Sequence, residues 1–196
     1  MFVQIMKGRV ADAALLQRQS EAWRRDLKPG ATGYLGTTSG TTPDGVAVLV
    51  ARFETQAAAQ ANSTRPEQAE WWSKTAPAFD GEVTFTDCPE VDLIFGGGSD
   101  AAGFVQLIEG RAVDPETLRA VGRTMEDELH AARPDLLGGI VAWHGDREFT
   151  QVVYFTSEAD ARANESKSQG DPQAAEWMKM MDGPMSFHDL PDPEFD

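Results

Sequence analysis

The chain has 196 residues, 32 acidic against 17 basic, a formal net charge of −15 and a hydrophobic fraction of 41%. That length holds one large domain or two of about 100 residues, each able to bury a core, and the hydrophobic fraction is that of an ordinary soluble globular protein. The negative charge repels phosphate backbones and anionic lipid, so neither nucleic acid nor a membrane surface is an expected partner.

No run of about 18 apolar residues is present, so no transmembrane helix is expected. The chain enters a strand directly, without the basic start and apolar core of a secretion signal. Cys88 is the only cysteine, which rules out an intramolecular disulfide and makes a reducing cytoplasm the expected location. The triplets Asn62-Ser63-Thr64 and Asn164-Glu165-Ser166 therefore carry no glycosylation meaning.

Residues 2–7 read as a strand with Phe2, Gln4 and Met6 on one face and Val3 and Ile5 on the other. Asp12 caps a helix whose apolar stripe is Leu16, Trp23 and Leu27, ended by Pro29-Gly30. Residues 33–38 and 46–53 are strands joined by the turn Thr41-Thr42-Pro43-Asp44-Gly45. Thr55 caps a second helix that breaks at residues 62–65, and Pro66 opens a further helical piece carrying Trp71 and Trp72. Asp80-Gly81 turns the chain into a strand over 82–86, and residues 91–95 can add a short one. The order is strand, helix, strand, strand, helix, strand.

The first strand then recurs. Phe2-Val3-Gln4-Ile5-Met6-Lys7-Gly8-Arg9 returns as Phe104-Val105-Gln106-Leu107-Ile108-Glu109-Gly110-Arg111, an offset of 102 residues. The offset persists: Asp12, Leu16, Trp23 and Leu27 map onto Asp114, Leu118, Met125 and Leu129, and Phe53, Ala57 and Ala61 onto Phe155, Ala159 and Ala163. Glu70-Trp71 returns as Glu176-Trp177 after a small length change, and Phe85, Asp87 and Pro89 return as Phe187, Asp189 and Pro191. The division expected is a repeat over 1–95, a Gly-rich linker over 96–103 with the composition of a flexible joint, a second repeat over 104–190, and a loose acidic tail over 191–196.

Each repeat predicts an antiparallel sheet with both helices on one face. The duplication, the strand opening Phe-Val-Gln, the Phe-x-[Thr/Ser]-x-Ala helix start and the Glu-Trp pair resemble the dimeric α+β barrel superfamily, specifically antibiotic-biosynthesis-monooxygenase-like domains. The resemblance implies an α+β fold of two tandem ferredoxin-like units, closing as an intramolecular pseudo-dimer with an internal pseudo-twofold and a monomeric chain. It also implies a barrel that either binds a small aromatic ligand, as cofactor-independent oxygenases of aromatic polyketides do, or is filled by its own side chains as a non-catalytic structural or interaction protein.

Haem-degrading members carry a first-strand Asn, a Trp and a downstream His. Here Gln4 or Gln106 stands at the Asn, Trp71 and Trp177 lie near the Trp, and no His follows Trp71 before Cys88; the iron ligand is missing, and His188 falls in the last strand. His130, His144 and His188 make no metal-ligand spacing. No flavin or metal motif is visible, so no cofactor is expected. The candidate ligand-binding residues are Gln4, Gln106, Trp71, Trp177, Arg52 and Tyr154. Gln4 and Gln106 are polar amides among apolar neighbours on equivalent strands; they either meet a ligand in a cavity between the two sheets or satisfy each other or a water. Arg9 and Arg111 hold an anion or form structural ion pairs. Trp177, Met178, Met180 and Met181 line an adaptable pocket or are core. Asn62 and Asn164 need no more than a turn role, and Cys88 has no neighbour that marks a nucleophile.

Overall fold

A computed structural model describes residues 1–167 and 172–196. The chain divides into two compact units, Met1–Pro89 with Glu194–Asp196, and Glu90–Pro193.

The first unit runs β1 (Phe2–Val10), α1 (Ala13–Ala22), β2 (Tyr34–Thr41), β3 (Val46–Phe53), α2 (Gln56–Ser63), α3 (Pro66–Thr75) and β4 (Phe79–Cys88). A π-helical turn, Trp23–Leu27, and a 3-10 turn, Lys28–Gly30, carry α1 towards β2. The second unit runs β5 (Glu90–Ile94), β6 (Phe104–Arg111), α4 (Pro115–Ala132), β7 (Leu136–His144), β8 (Glu148–Phe155), α5 (Glu158–Lys167), α6 (Pro172–Met178) and β9 (Ser186–Leu190). β10 (Glu194–Phe195) returns to the first unit. Among the described residues the sheets are five-stranded and antiparallel, ordered β10-β2-β3-β1-β4 and β5-β7-β8-β6-β9. These are two tandem ferredoxin-like units, as the repeat predicts.

The repeat extends to hydrogen-bond register. β1 meets β3 from Phe2 opposite Phe53 to Arg9 opposite Val46, and β6 meets β8 from Phe104 opposite Phe155 to Arg111 opposite Glu148. The bulges match too: β2 slips against β3 between Tyr34 and Gly36, and β7 against β8 between Leu136 and Gly138. Both bulge glycines have positive φ, +136° and +154°, a region that costs any residue with a Cβ.

Three stretches differ from the sequence reading. Residues 194–196 are not loose: Glu194 and Phe195 pair with Ser39 and Thr38, and Thr37 and Asp196 exchange backbone hydrogen bonds of 2.9 and 3.0 Å. Strand addition supplies partners for the edge of β2, which a composition-based reading of six acidic, Pro-containing residues does not register. Part of the Gly-rich stretch is in close contact with its surroundings, while a Cβ on Gly96 would meet nothing within 4 Å. A Cβ on Gly98 would fall 2.7 Å from Tyr154 Cζ, and one on Gly138 2.0 Å from the Gly97 carbonyl oxygen, so these glycines permit close approach. Asp80-Gly81 also lies inside β4, beside the register shift between Lys7 and Arg9, rather than in a turn before it.

Candidate functional site

Strand alternation sorts the first sheet into two faces. Val3, Ile5, Val48 and Val50 lie on one face and are buried. Gln4 and Met6 from β1, Leu49, Ala51 and Phe53 from β3, and Tyr34, Thr37 and Ser39 from β2 lie on the other, under the helices. There they floor a cavity of about 510 Å³ whose roof is Leu16 and Ser20 of α1, Trp23 of the π turn, and Gln68, Trp71 and Trp72 of α3. Phe85 of β4 stands at its edge, half exposed, and Asp196 closes the end beside β2. The volume falls in the range of small-molecule sites. The sequence reading put a cavity between the two sheets; this one lies inside the first unit, between its sheet and its own helices.

The roof is held by indole hydrogen bonds. Trp71 Nε1 donates to the Gln19 carbonyl at 2.8 Å, and Trp23 Nε1 to Gln68 Oε1 at 2.9 Å. Each ties α1 or the π turn to α3 and contributes about 0.5–1.5 kcal/mol. The π turn arises where the Lys28 N–H reaches back to the Trp23 carbonyl, which swings Trp23 edge-on to Tyr34 at 5.1 Å, with Tyr34 in turn edge-on to Phe53 at 5.5 Å. Trp72 makes the matching contact to Phe85 at 5.3 Å. The walls are therefore aromatic on both sides, and π turns of this kind recur at functional sites.

Two sets of polar groups lie along the sheet floor. Gln4 Nε2 donates to Asp87 Oδ1 across the β1–β4 pair at 2.8 Å. The second set is Tyr34, Thr37 and Asp196. Tyr34 Oη and Thr37 Oγ1 share a short hydrogen bond, Tyr34 Oη lies 3.4 Å from Asp196 Oδ2, and Lys28 Nζ pairs with Asp196 Oδ1. Burial is the main cause that pushes the Tyr34 phenol well above the ordinary tyrosine range, so this hydroxyl keeps its proton at neutral pH.

The second unit repeats the polar pair among different neighbours. Gln106 Nε2 donates to Asp189 Oδ1 at 2.8 Å, yet Gln106 is buried whereas Gln4 is half-buried. The amide nitrogen of each glutamine finds the aspartate of its neighbouring strand. Arg162, where the first repeat has Gln60, reaches Asp189 and lies 5.2 Å above the Phe104 ring. Val153 stands for Ala51 and Leu136 for Tyr34, and both belong to a packed cluster with Phe104, Phe155 and Ala161.

The predicted residues therefore separate. Gln4 and Trp71 meet at the cavity. Gln106 is in the second unit, and Trp177 packs with Met180 against a cluster of Ala112, Leu118, Trp143, Phe149 and Met181. Met178 is exposed. Arg52 and Tyr154 fall on the sheet faces opposite Ala51 and Val153; the Arg52 Nε is buried without a hydrogen-bond partner, and neither side chain lines the cavity. Arg9 donates to the Asp44 carbonyl at 2.9 Å, and Arg111 lies 3.5 Å from Glu148 and Asp182. Buried Asn62 lines the cavity and accepts from Arg65 at 3.1 Å. The cavity residues missed from sequence are Trp23, Tyr34, Thr37, Gln68 and Asp196. The Trp23–Met125 and Tyr34–Leu136 mismatches between repeats were the available signal.

No family model matches the chain, and no curated protein matches it in sequence. Solved structures do match its fold. A protein from Fusobacterium nucleatum, provisionally described as a monooxygenase, superposes with a TM-score of 0.74 at 9% identity over 100% of this chain and 93% of its own. An anthrone oxidase-like protein gives 0.65 at 8% identity, over 100% and 92%. A heme-degrading enzyme from Listeria monocytogenes gives 0.51 at 13% identity, over 97% and 100%. The chain thus shares with these proteins a fold of two tandem ferredoxin-like units, and at these identities the likeness establishes fold alone.

This cavity offers a haem iron no imidazole ligand. No histidine lines it. His130 packs edge-on to Phe95 at 4.8 Å, His144 Nε2 lies 3.1 Å from Thr150 Oγ1, and His188 Nε2 lies 3.0 Å from Glu109 Oε2. Among the described residues no group of three or more His, Cys, Asp or Glu is placed to hold a metal.

Proposed function

We propose that the cavity of the first unit binds a planar aromatic small molecule, and that the chain oxidises an aromatic or polyketide-like substrate there as a cofactor-independent monooxygenase. The observation that carries this reading is a 510 Å³ cavity walled by Trp23, Tyr34, Phe53, Trp71 and Trp72, with a mainly apolar surface. Flat aromatic walls suit a flat aromatic guest, and the polar groups suit its orientation. Gln4 and Trp71 are the binding residues carried forward from the sequence. The second unit, with Arg162 over Phe104, suits a structural role.

In such a reaction the substrate supplies its own electrons. A methylene between two aromatic rings reacts with O₂ to give the ketone and one water, so one oxygen atom enters the product and the other takes up the two hydrogens. What the protein contributes is a dry, shaped site that holds the ring system and leaves one face open to O₂. The reading also expects a monomer, because one chain carries both units, and a cytoplasmic location, where the lone Cys88 stays reduced.

The test is oxygen uptake with anthrone in the absence of added metal or flavin. Uptake above the spontaneous rate, stoichiometric with anthraquinone and lost in Trp71→Ala, supports the reading. A rate equal to the protein-free control across anthrone and related tricyclic phenols contradicts catalysis.

A further inference from the structure

The hydrogen bonds already made by the cavity's polar groups bear on what it selects. Several of its donors are already used. Trp71 and Trp23 donate to Gln19 and Gln68, Thr75 Oγ1 to the Trp71 carbonyl at 2.8 Å, Ser63 Oγ to the Ala59 carbonyl at 3.0 Å, and Gln4 Nε2 to Asp87. Arg24, the cation in the lining, holds Glu194 at 2.5 Å. The acceptor in reserve is the Asp196 carboxylate. Its Oδ1 is taken by Lys28, but Oδ2 has Tyr34 Oη at 3.4 Å and Arg24 Nε at 4.0 Å, both longer than a good hydrogen bond. The side chain is only 13% exposed, so bulk water does little to satisfy that oxygen. Tyr34 Oη and Thr37 Oγ1 share a short hydrogen bond in which either hydroxyl can donate, so the contact of Tyr34 with Oδ2 is the long 3.4 Å one.

Asp196 is also fixed in place. Its backbone exchanges two hydrogen bonds with Thr37, Lys28 holds one carboxylate oxygen, and the preceding strand pairs with β2. A carboxylate held this firmly, partly desolvated and under-bonded at one oxygen, accepts a ligand hydroxyl in a charge-assisted bond and repels a second anion.

We propose that Asp196, brought to the first unit by β10 and oriented by Lys28, is the specificity-determining residue of the cavity: with Tyr34 and Thr37 it forms a polar end that selects a neutral aromatic alcohol and rejects the corresponding carboxylate. This rests on the reading that the cavity binds planar aromatics, and adds to it which functional group the ligand presents and which residue reads it.

The experiment compares three tricyclic probes of one shape, 9-phenanthrol, 9-methylphenanthrene and phenanthrene-9-carboxylate, by equilibrium dialysis against the full chain, Asp196→Asn, Tyr34→Phe and a control, Asp192→Asn. The expected order for the wild type is phenanthrol tightest, with methylphenanthrene and the carboxylate weaker by about tenfold or more, the usual worth of a hydrogen bond to a charged group. Asp196→Asn is expected to weaken phenanthrol and strengthen the carboxylate, so that the two converge, while methylphenanthrene is unchanged. Unchanged methylphenanthrene binding shows that the variant folds and keeps its cavity. Tyr34→Phe is expected to leave the discrimination against the carboxylate intact, since Asp196 remains. Equal binding of phenanthrol and methylphenanthrene by the wild type, or carboxylate binding as tight as phenanthrol, overturns the assignment of Asp196 and leaves the aromatic cavity standing. If none of the three binds, the aromatic reading falls and this inference with it.

Discussion

If the first unit holds real empty volume and the second does not, adding the same kind of bulk to each should change stability in opposite directions. Ala51 on β3 faces the middle of the cavity, and its counterpart Val153 sits in the packed cluster with Phe104, Leu136 and Phe155. Ala51→Leu adds three carbons to a space of about 510 Å³. At about 0.8 kcal/mol per buried carbon, less about 0.5–1 kcal/mol for the leucine side chain's lost rotamer freedom, the gain is about 1.5 kcal/mol. For a chain of this length that raises Tm by about 3–6 °C. Val153→Phe must instead force four carbons into a site with no room, and should cost about 1–3 kcal/mol or more. Calorimetry on both variants, with 9-phenanthrol dialysis on the first, is the assay. The expected result is a more stable Ala51→Leu protein that has lost binding, the trade familiar where function requires unfilled space. An Ala51→Leu protein destabilised as much as Val153→Phe would refute the reasoning, because it would mean that the cavity walls are already in contact.

Four further outcomes are expected. Gly138→Ala should be strongly destabilising, by about 2–3 kcal/mol or more, because its Cβ would meet the Gly97 carbonyl oxygen at 2.0 Å in a positive-φ bulge. Gly122→Ala, inside α4 with nothing within 4 Å, should stabilise by about 0.5–1 kcal/mol, and urea titration separates the two. Asp114 caps α4, and the Thr117 hydroxyl, the largest cause, holds its carboxyl below the ordinary aspartate range. Its contribution is complete above the unfolded pKa and is lost as pH falls through the folded one, so Tm should fall on acidification and Asp114→Asn should flatten part of that fall. Light scattering should give the 21.3 kDa monomer at micromolar concentration; an obligate dimer would contradict a chain that carries both units by itself.

The fold was legible because duplication writes it twice. A shared offset at Phe2 and Phe104, Phe53 and Phe155, and Asp87 and Asp189 constrains both strand order and register, since a one-residue slip would turn every side chain to the wrong face. The same offset points to what the two strand glutamines bond, for Asp87 and Asp189 repeat along with Gln4 and Gln106; a single strand taken alone does not show the pairing across β1–β4 and β6–β9. Strand alternation also separates Arg52 from Phe53 and Tyr154 from Phe155, which puts both polar residues on the faces away from the helices. The position of Asp196 at the cavity was not legible. It depends on a strand added to β2 from far along the chain, a non-local pairing that no local pattern encodes. The side of the sheet that holds the cavity likewise follows from helix placement and the π turn at Trp23, rather than from periodicity.

The most direct test of the account is a solution NMR titration of the uniformly ¹⁵N-labelled chain with 9-phenanthrol, read at the indole N–H signals of its five tryptophans and assigned by single Trp→Phe variants. Ring-current shifts fall off within a few ångströms, so they report which indoles the guest touches. The account predicts saturable shifts at Trp23, Trp71 and Trp72, which line the cavity, and none at Trp143 or Trp177, which pack in the second unit. Shifts confined to Trp143 and Trp177, or no saturable shift at any indole, would contradict it.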